Sequence, residues 1–160
     1  MNQKKISITY KEFPKGAGLA ENERELLSKA AEAAGSAYAP YSKFNVGAAV
    51  RLSNGEIISA SNQENAAYPS GLCAERVAIF YAHARYPDES IESIAVTASV
   101  NGNMCEDPTY PCGACRQVMA ESETRFGKPI KIIIGGERVT QVMESVSSLL
   151  PFTFDNLPER

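Results

Sequence analysis

Three cysteines carry the chemistry that can be argued from residue types: Cys73, Cys112 and Cys115. Cys112 and Cys115 stand three apart in Pro111-Cys112-Gly113-Ala114-Cys115-Arg116-Gln117, just after a proline, where helices start well. On a first helical turn that spacing points both sulfurs to one side, so they can share a metal, and the positive helix end favours their thiolates. Cys73, in Leu72-Cys73-Ala74-Glu75-Arg76, is the third ligand; with no other ligand nearby, a fourth position is left to water, the mark of a catalytic zinc. A bare Cys-x-x-Cys suits a structural zinc knot or two buried apolar thiols equally well. Glu75 decides between them. A carboxylate two residues after Cys73 adds repulsion to a three-thiolate site unless it has a proton to carry, whereas an isolated Glu there would be a solvated acid complementing the helix dipole. Cys105 has no partner at ligand spacing and is a bystander thiol.

The elements that must position these ligands follow from apolar periodicity. Residues 1–18 form an extension whose Ile6, Ile8 and Tyr10 alternate as in an added edge strand. Leu19, Leu26, Leu27, Ala30, Ala34 and Tyr38 recur at helical spacing until Gly35 and Pro40 end the pattern. Strands are predicted over 44–52 and 56–61, joined by Ser53-Asn54-Gly55, because Asn-Gly takes the positive φ angles of a tight hairpin. After a polar loop, helices are predicted over 72–86 and 112–126, with a β-branched strand over 94–100 between them. An apolar strand over 130–134, a weaker one over 139–142 and a short helical segment ending at Leu149-Leu150-Pro151 complete the order. This is an α/β chain with a mixed sheet, antiparallel at the hairpin, parallel where helices intervene, and helices on both faces. Both sets of cysteines fall at helix N-termini after a strand and a loop, which brings them to one sheet edge.

At 160 residues and 44% hydrophobic, the chain suits one globular domain. Its longest apolar run, residues 77–82, is too short for a bilayer, and no apolar stretch follows the N-terminal lysines. A non-exported, cytoplasmic protein is expected, where thiols stay reduced and four cysteines need a reason other than disulfides. Sixteen basic against nineteen acidic side chains, a net charge of −3, give no general attraction to nucleic acid or to a membrane surface. His83, the only histidine, lies eight residues past Glu75 on the same helix and is expected to be structural.

Cys-x-Glu followed by Pro-Cys-x-x-Cys is a known zinc-deaminase signature, not something spacing alone dictates. Beyond it, the chain resembles the cytidine deaminase family, in its small homo-oligomeric nucleoside class. The resemblance rests on Tyr38-Ala39-Pro40-Tyr41-Ser42-Lys43-Phe44, Val46-Gly47-Ala48-Ala49, Asn62-Gln63-Glu64-Asn65-Ala66-Ala67-Tyr68 and the two cysteine motifs, and on Leu149-Leu150-Pro151 followed by Phe154. It covers about residues 19–154, which divides the chain into a 1–18 extension and a 19–160 deaminase domain. The fold it implies is a three-layer α-β-α sandwich around a five-stranded mixed sheet.

The resemblance also implies one zinc per chain on Cys73, Cys112 and Cys115, with hydrolysis of cytidine and 2'-deoxycytidine to uridine and 2'-deoxyuridine plus ammonia, a pyrimidine-salvage reaction. Glu75 would move protons from the attacking water to the pyrimidine N3 and the departing amine. Phe44 would stack on the pyrimidine, helped by the small residues after it; Asn62 and Glu64 would hold the ribose hydroxyls, and Ala74 would offer backbone contacts to the base. Arg76 would offset the net −1 charge of three thiolates on Zn²⁺. Phe154 would reach a neighbouring subunit's pocket in a homotetramer, while Arg116 and Gln117 would brace helices or the loop. Nucleotide and polynucleotide deaminases of similar signature carry His in place of Cys73, which favours a free nucleoside. The rivals are an aminohydrolase of the same fold acting on a modified nucleoside, and a zinc-stabilised protein without activity.

Overall fold

The computed structural model describes residues 1–155. Its elements are β1 (Lys11–Pro14), α1 (Glu21–Ala34), β2 (Phe44–Leu52), β3 (Ile57–Ser61), α2 (Ala74–Arg85), β4 (Ile91–Val100), β5 (Asn103–Met104), α3 (Gly113–Phe126), β6 (Lys131–Gly135) and β7 (Val139–Met143), with 3-10 turns at Tyr68–Ser70 and Val146–Ser148. The strands form one sheet in the order β1-β7-β6-β4-β2-β3, with β5 paired to β4. The sheet therefore has seven strands rather than the five expected. One addition is β5, a two-residue return after Asn101 and Gly102, whose φ angles of 52° and 79° reverse the chain. The other is β1, which runs antiparallel to β7 with Glu12 opposite Gln141. Ile6, Ile8 and Tyr10 remain exposed outside it. The strand forms at Lys11 because Phe13, not the upstream isoleucines, reaches the core under α1.

Alternation along the central strands sends side chains to two cores. Ala48, Val50, Ile94, Val96, Ile132 and Ile134 pack with Ala78 and Ile79 of α2 and Met119 of α3. Ala49, Ala95 and Ile133 pack on the opposite face with Leu26 and Ala30 of α1. Helices thus lie on both faces, in three layers. Gly47 makes the α1 layer possible: a Cβ there would lie 1.9 Å from the Ala30 carbonyl oxygen and 2.6 Å from the Ala34 nitrogen. Its smallness serves this close approach and not, as expected, a ligand beside Phe44.

The hairpin turns at Asn54-Gly55 as predicted, with Gly55 at φ +87°. β4 and β6 are parallel across α3, while β2 lies antiparallel between β3 and β4. β3, β4 and β6 consequently run the same way. α2 follows β3, and α3 follows β4 after the two-residue return of β5 and a loop, so both helices begin near the C-terminal ends of these strands, at one edge.

Candidate metal centre

Cys73 caps the N-terminus of α2 and Cys112 that of α3, each in extended backbone rather than inside the first turn. Cys115 follows within the first turn of α3 and is fully buried. The sulfur separations are 3.7 Å for Cys73–Cys112 and 3.5 Å for Cys112–Cys115, and all three lie within 4.8 Å of one another. A tetrahedral zinc with Zn–S bonds of about 2.3 Å needs sulfurs roughly 3.8 Å apart, so the donor set fits that ion in both chemistry and spacing. Among the described residues the group comprises these three cysteines, and Cys73 and Cys112 line a cavity of about 680 Å³.

Electrostatics sort the thiols. Hydrogen bonding from Cys115, opposed by burial and joined by Arg76 and Cys112, brings the Cys73 thiol down to about 5. The same interaction with Cys73, together with burial, pushes Cys115 upward. The Arg76 guanidinium stands with Nη2 3.9 Å from Cys73 Sγ. Glu75, only 3% exposed, has an Oε2 without a hydrogen-bond partner, and it lines the cavity. Burial raises its pKa above the ordinary carboxylate value, its own backbone N–H opposes the shift, and the negative Cys73 sulfur adds to it.

Phe44, Asn62 and Glu64 are brought to the cavity with the cysteines. Backbone bonds arrange this: Tyr38 donates to the Asn62 carbonyl and accepts from the Glu64 N–H, while Gln63 exchanges two bonds with Leu72, next to Cys73. Asn62, 9% exposed, accepts at Oδ1 from the Val46 N–H over 2.8 Å and donates from Nδ2 to the Phe44 carbonyl over 3.0 Å. It clamps β2 to the loop, and one N–H and one lone pair remain free of these bonds. Glu64 Oε2 accepts from the N–H groups of Tyr41 and Ser42 over 2.9 and 3.2 Å. Hydrogen bonding with Ser42 leads, outweighing burial with help from Tyr41, and holds the Glu64 pKa below its ordinary value.

Ala74 is wholly buried in the core under α2, and its side chain does not line the cavity. Phe154 is 71% exposed; Gln117 Nε2 donates to its carbonyl over 2.8 Å, so the last described residues are tethered to α3 with the ring outward. Arg116 braces as expected, donating to the carbonyls of Pro111 and Leu149, both over 2.8 Å. His83 bonds Ser122 of α3 at 3.0 Å and stacks on Phe126, a contact between helices away from the metal ligands. Tyr41, Tyr68 and Tyr110 also line the cavity, without a role legible in the sequence. Tyr110 stands two residues before Cys112, and that adjacency is its signal in the sequence.

Two helix N-termini that bring three thiols together, beside a buried carboxylate whose Oε2 has no partner, define the class: an α/β protein whose donor set suits a catalytic rather than a merely structural zinc. The chain belongs to the family of the cytidine and deoxycytidylate deaminase zinc-binding region, whose model matches residues 20–127. It is 40% identical over 129 residues to a cytidine deaminase of Halalkalibacterium halodurans, an alignment that covers 81% of this chain and 91% of the relative. Among solved structures it is similar to the cytidine deaminase of Burkholderia pseudomallei (37% identity, TM-score 0.67, 82% of this chain and 98% of that one). The cytidine deaminase of Mycobacterium tuberculosis gives 31% identity and a TM-score of 0.66 over 83% and 97% of the two chains. The expected α/β deaminase fold is thereby borne out.

Proposed function

We propose that this chain is a zinc-dependent cytidine deaminase that hydrolyses cytidine and 2'-deoxycytidine to uridine and 2'-deoxyuridine with release of ammonia. The observation that carries the proposal is the unpartnered Oε2 of buried Glu75 in the wall of a cavity that also exposes Cys73 and Cys112. Cys73, Cys112 and Cys115 would hold one zinc, which supplies an acidified water as nucleophile when bound. Arg76 lies where its charge offsets the excess negative charge of three thiolates. Glu75 takes one proton from the nucleophile and hands it to the pyrimidine N3, then takes the second proton from the hydroxyl newly bonded to C4 and delivers it to the leaving amine, and its raised pKa suits a group that must hold a proton between steps. Attack at C4 and loss of ammonia then balance as substrate plus water.

Phe44 offers a ring to the pyrimidine, and Ala74, which begins α2 beside Cys73 but does not line the cavity, would reach the base only through its main chain. The remaining N–H of Asn62 and the free lone pairs of Glu64 are suited to ribose hydroxyls. Glu64 is ionised near neutrality and would repel a 5'-phosphate, so the substrate is a free nucleoside. The deaminase domain runs from residue 19, with residues 1–18 added to it. The active form is a homotetramer in which Phe154 completes a neighbour's cavity; its exposed ring supports this. Free thiols throughout, and no helix among the described residues long and apolar enough to cross a membrane, suit the cytoplasm.

The deciding experiment measures ammonia release from cytidine, 2'-deoxycytidine, cytosine, cytidine monophosphate and adenosine. Both nucleosides should far exceed the other three. Equal efficiency on the monophosphate would remove the ribose assignment from Glu64, and turnover of none of them would sink the activity.

A further inference from the structure

Tyr110 lines the cavity yet enters none of these roles. Its hydroxyl donates to Gln141 Oε1 on β7 over 2.5 Å, and Gln141 Nε2 donates to Glu12 Oε1 on β1 over 2.9 Å. The direction of this relay is fixed by chemistry: a carboxylate only accepts, so Gln141 must turn its NH₂ to Glu12 and its oxygen to the phenol. Glu12 and Gln141 are direct cross-strand partners, and Gln141 opposes Ile134, whose side chain belongs to the core under α2 and α3. The relay therefore stands on the face of the sheet that carries the metal centre. Gln141 is 6% exposed, so water does not freely replace a lost partner.

The loop between β5 and Cys112 is tied to the same hairpin at its start. Glu137 N–H donates to the Cys105 carbonyl over 2.9 Å and Arg138 N–H to the Glu106 carbonyl over 3.0 Å. A Cβ on Gly136 would lie 2.6 Å from the Asp107 carbonyl carbon, so loop and hairpin touch backbone to backbone. Lys15 N–H, just past β1, donates to the Arg138 carbonyl over 2.8 Å. Tyr110 is the tie at the loop's other end, immediately before Pro111 and Cys112.

We propose that β1, which lies outside the family-matched residues 20–127, braces the substrate cavity: Glu12 fixes Gln141, Gln141 fixes Tyr110, and the backbone entering Cys112 keeps its place. Glu12 and Gln141 are positioning residues. The kinetic consequence rests on the cytidine reading; the consequence for metal retention does not.

The test compares the zinc-loaded full chain with Glu12→Ala, Glu12→Gln and Tyr110→Phe, following zinc transfer to a chromogenic chelator alongside kcat and KM for cytidine. Glu12→Ala and Tyr110→Phe should each lose zinc about two- to tenfold faster and raise KM by a similar factor with kcat little changed, as expected from one lost hydrogen bond. Glu12→Gln, whose amide oxygen still accepts from Gln141, should match the parent, and the double variant Glu12→Ala/Tyr110→Phe should be no worse than the worse single. Tyr110→Phe leaves the β1 pairing intact and so reports on the relay even where Glu12→Ala loosens the strand. Parent-like zinc release and KM in both Glu12→Ala and Tyr110→Phe, additive effects in the double variant, or equal damage from Glu12→Gln would overturn the brace. A parent protein that holds zinc without deaminating cytidine would defeat the substrate reading, while the zinc-release comparison would still decide on the brace.

Discussion

At the residue scale the proposed reaction divides the work between Glu75, which would hold a proton, and the three sulfurs, which would hold the metal. Glu75→Gln should keep the zinc and the fold and lose activity by about 10²- to 10⁴-fold, the usual contribution of a positioned acid–base group. Measuring kcat/KM at equal zinc content checks this, and a loss of less than about tenfold would take Glu75 out of the chemistry. Cys112→Ala removes the sulfur that stands within 3.7 Å of both others, so metal analysis should find far less than one zinc per chain; a full equivalent would mean that the ligand set is wrong. The three cysteines and Glu75 were legible in the sequence because each sits within one turn of a helix start that proline or composition announces, and the meeting of Cys73 with Cys112, 39 residues on, follows once both helices start at one sheet edge. The clamp made by Asn62, the seat of Glu64 on Tyr41 and Ser42, and the reach of Tyr110 to Gln141 were not. Their partners lie 16 to 31 residues away and meet only once strand register is set.

Elements were legible where apolar period and turn chemistry agree, as in the β2–β3 hairpin and the three helices, whose bounds shift by a few residues when capping replaces composition as the criterion. β5 escaped because two residues carry no period, and β1 was misplaced because alternation says nothing of which stretch finds a partner. Gly47 shows the cost of inferring a cause from residue size alone. Its missing Cβ admits the α1 backbone, and backbone atoms at 1.9 and 2.6 Å cannot step aside as a flexible side chain would. Gly47→Ala should therefore destabilise the fold by about 3 kcal/mol or more, at the upper end of overpacking costs, and a melting temperature near the parent's would refute the tight α1 seat. α1 is also latched at its start. Glu23 accepts from the Ala20 N–H and from Lys131 Nζ of β6, both over 3.0 Å. Burial works to raise its pKa, but these bonds outweigh it and the net shift is downward. A depressed folded-state pKa means stability that is present above the ordinary carboxylate range and lost as pH falls through it. The advantage of the parent over Glu23→Gln in urea unfolding should thus be largest near pH 7 and shrink below about pH 4. An advantage constant across that range would show that charge plays no part in the latch.

At the scale of the whole molecule, large aromatic side chains are left exposed. Phe152 and Phe154 are 80% and 71% exposed, and Gln117 holds the backbone of Phe154 so that its ring stays outward. Tyr41 and Tyr68 meet edge to face at the cavity mouth, also exposed. Deamination needs water kept from the base, and the exposed Tyr41 and Tyr68 are among the residues that line this cavity. A neighbour in a closed symmetric assembly would cover the mouth identically in every subunit. If Phe154 is the residue lent, Phe154→Ala chains should be poorly active alone yet retain an intact Glu75. Mixing them with an excess of Glu75→Gln chains, under conditions that exchange subunits, should restore activity, because some sites then pair a working Glu75 with a borrowed Phe154. Sedimentation of the fully active enzyme as a monomer would defeat the shared site, and so would the absence of rescue after exchange has been demonstrated with a damaging Phe154→Ala.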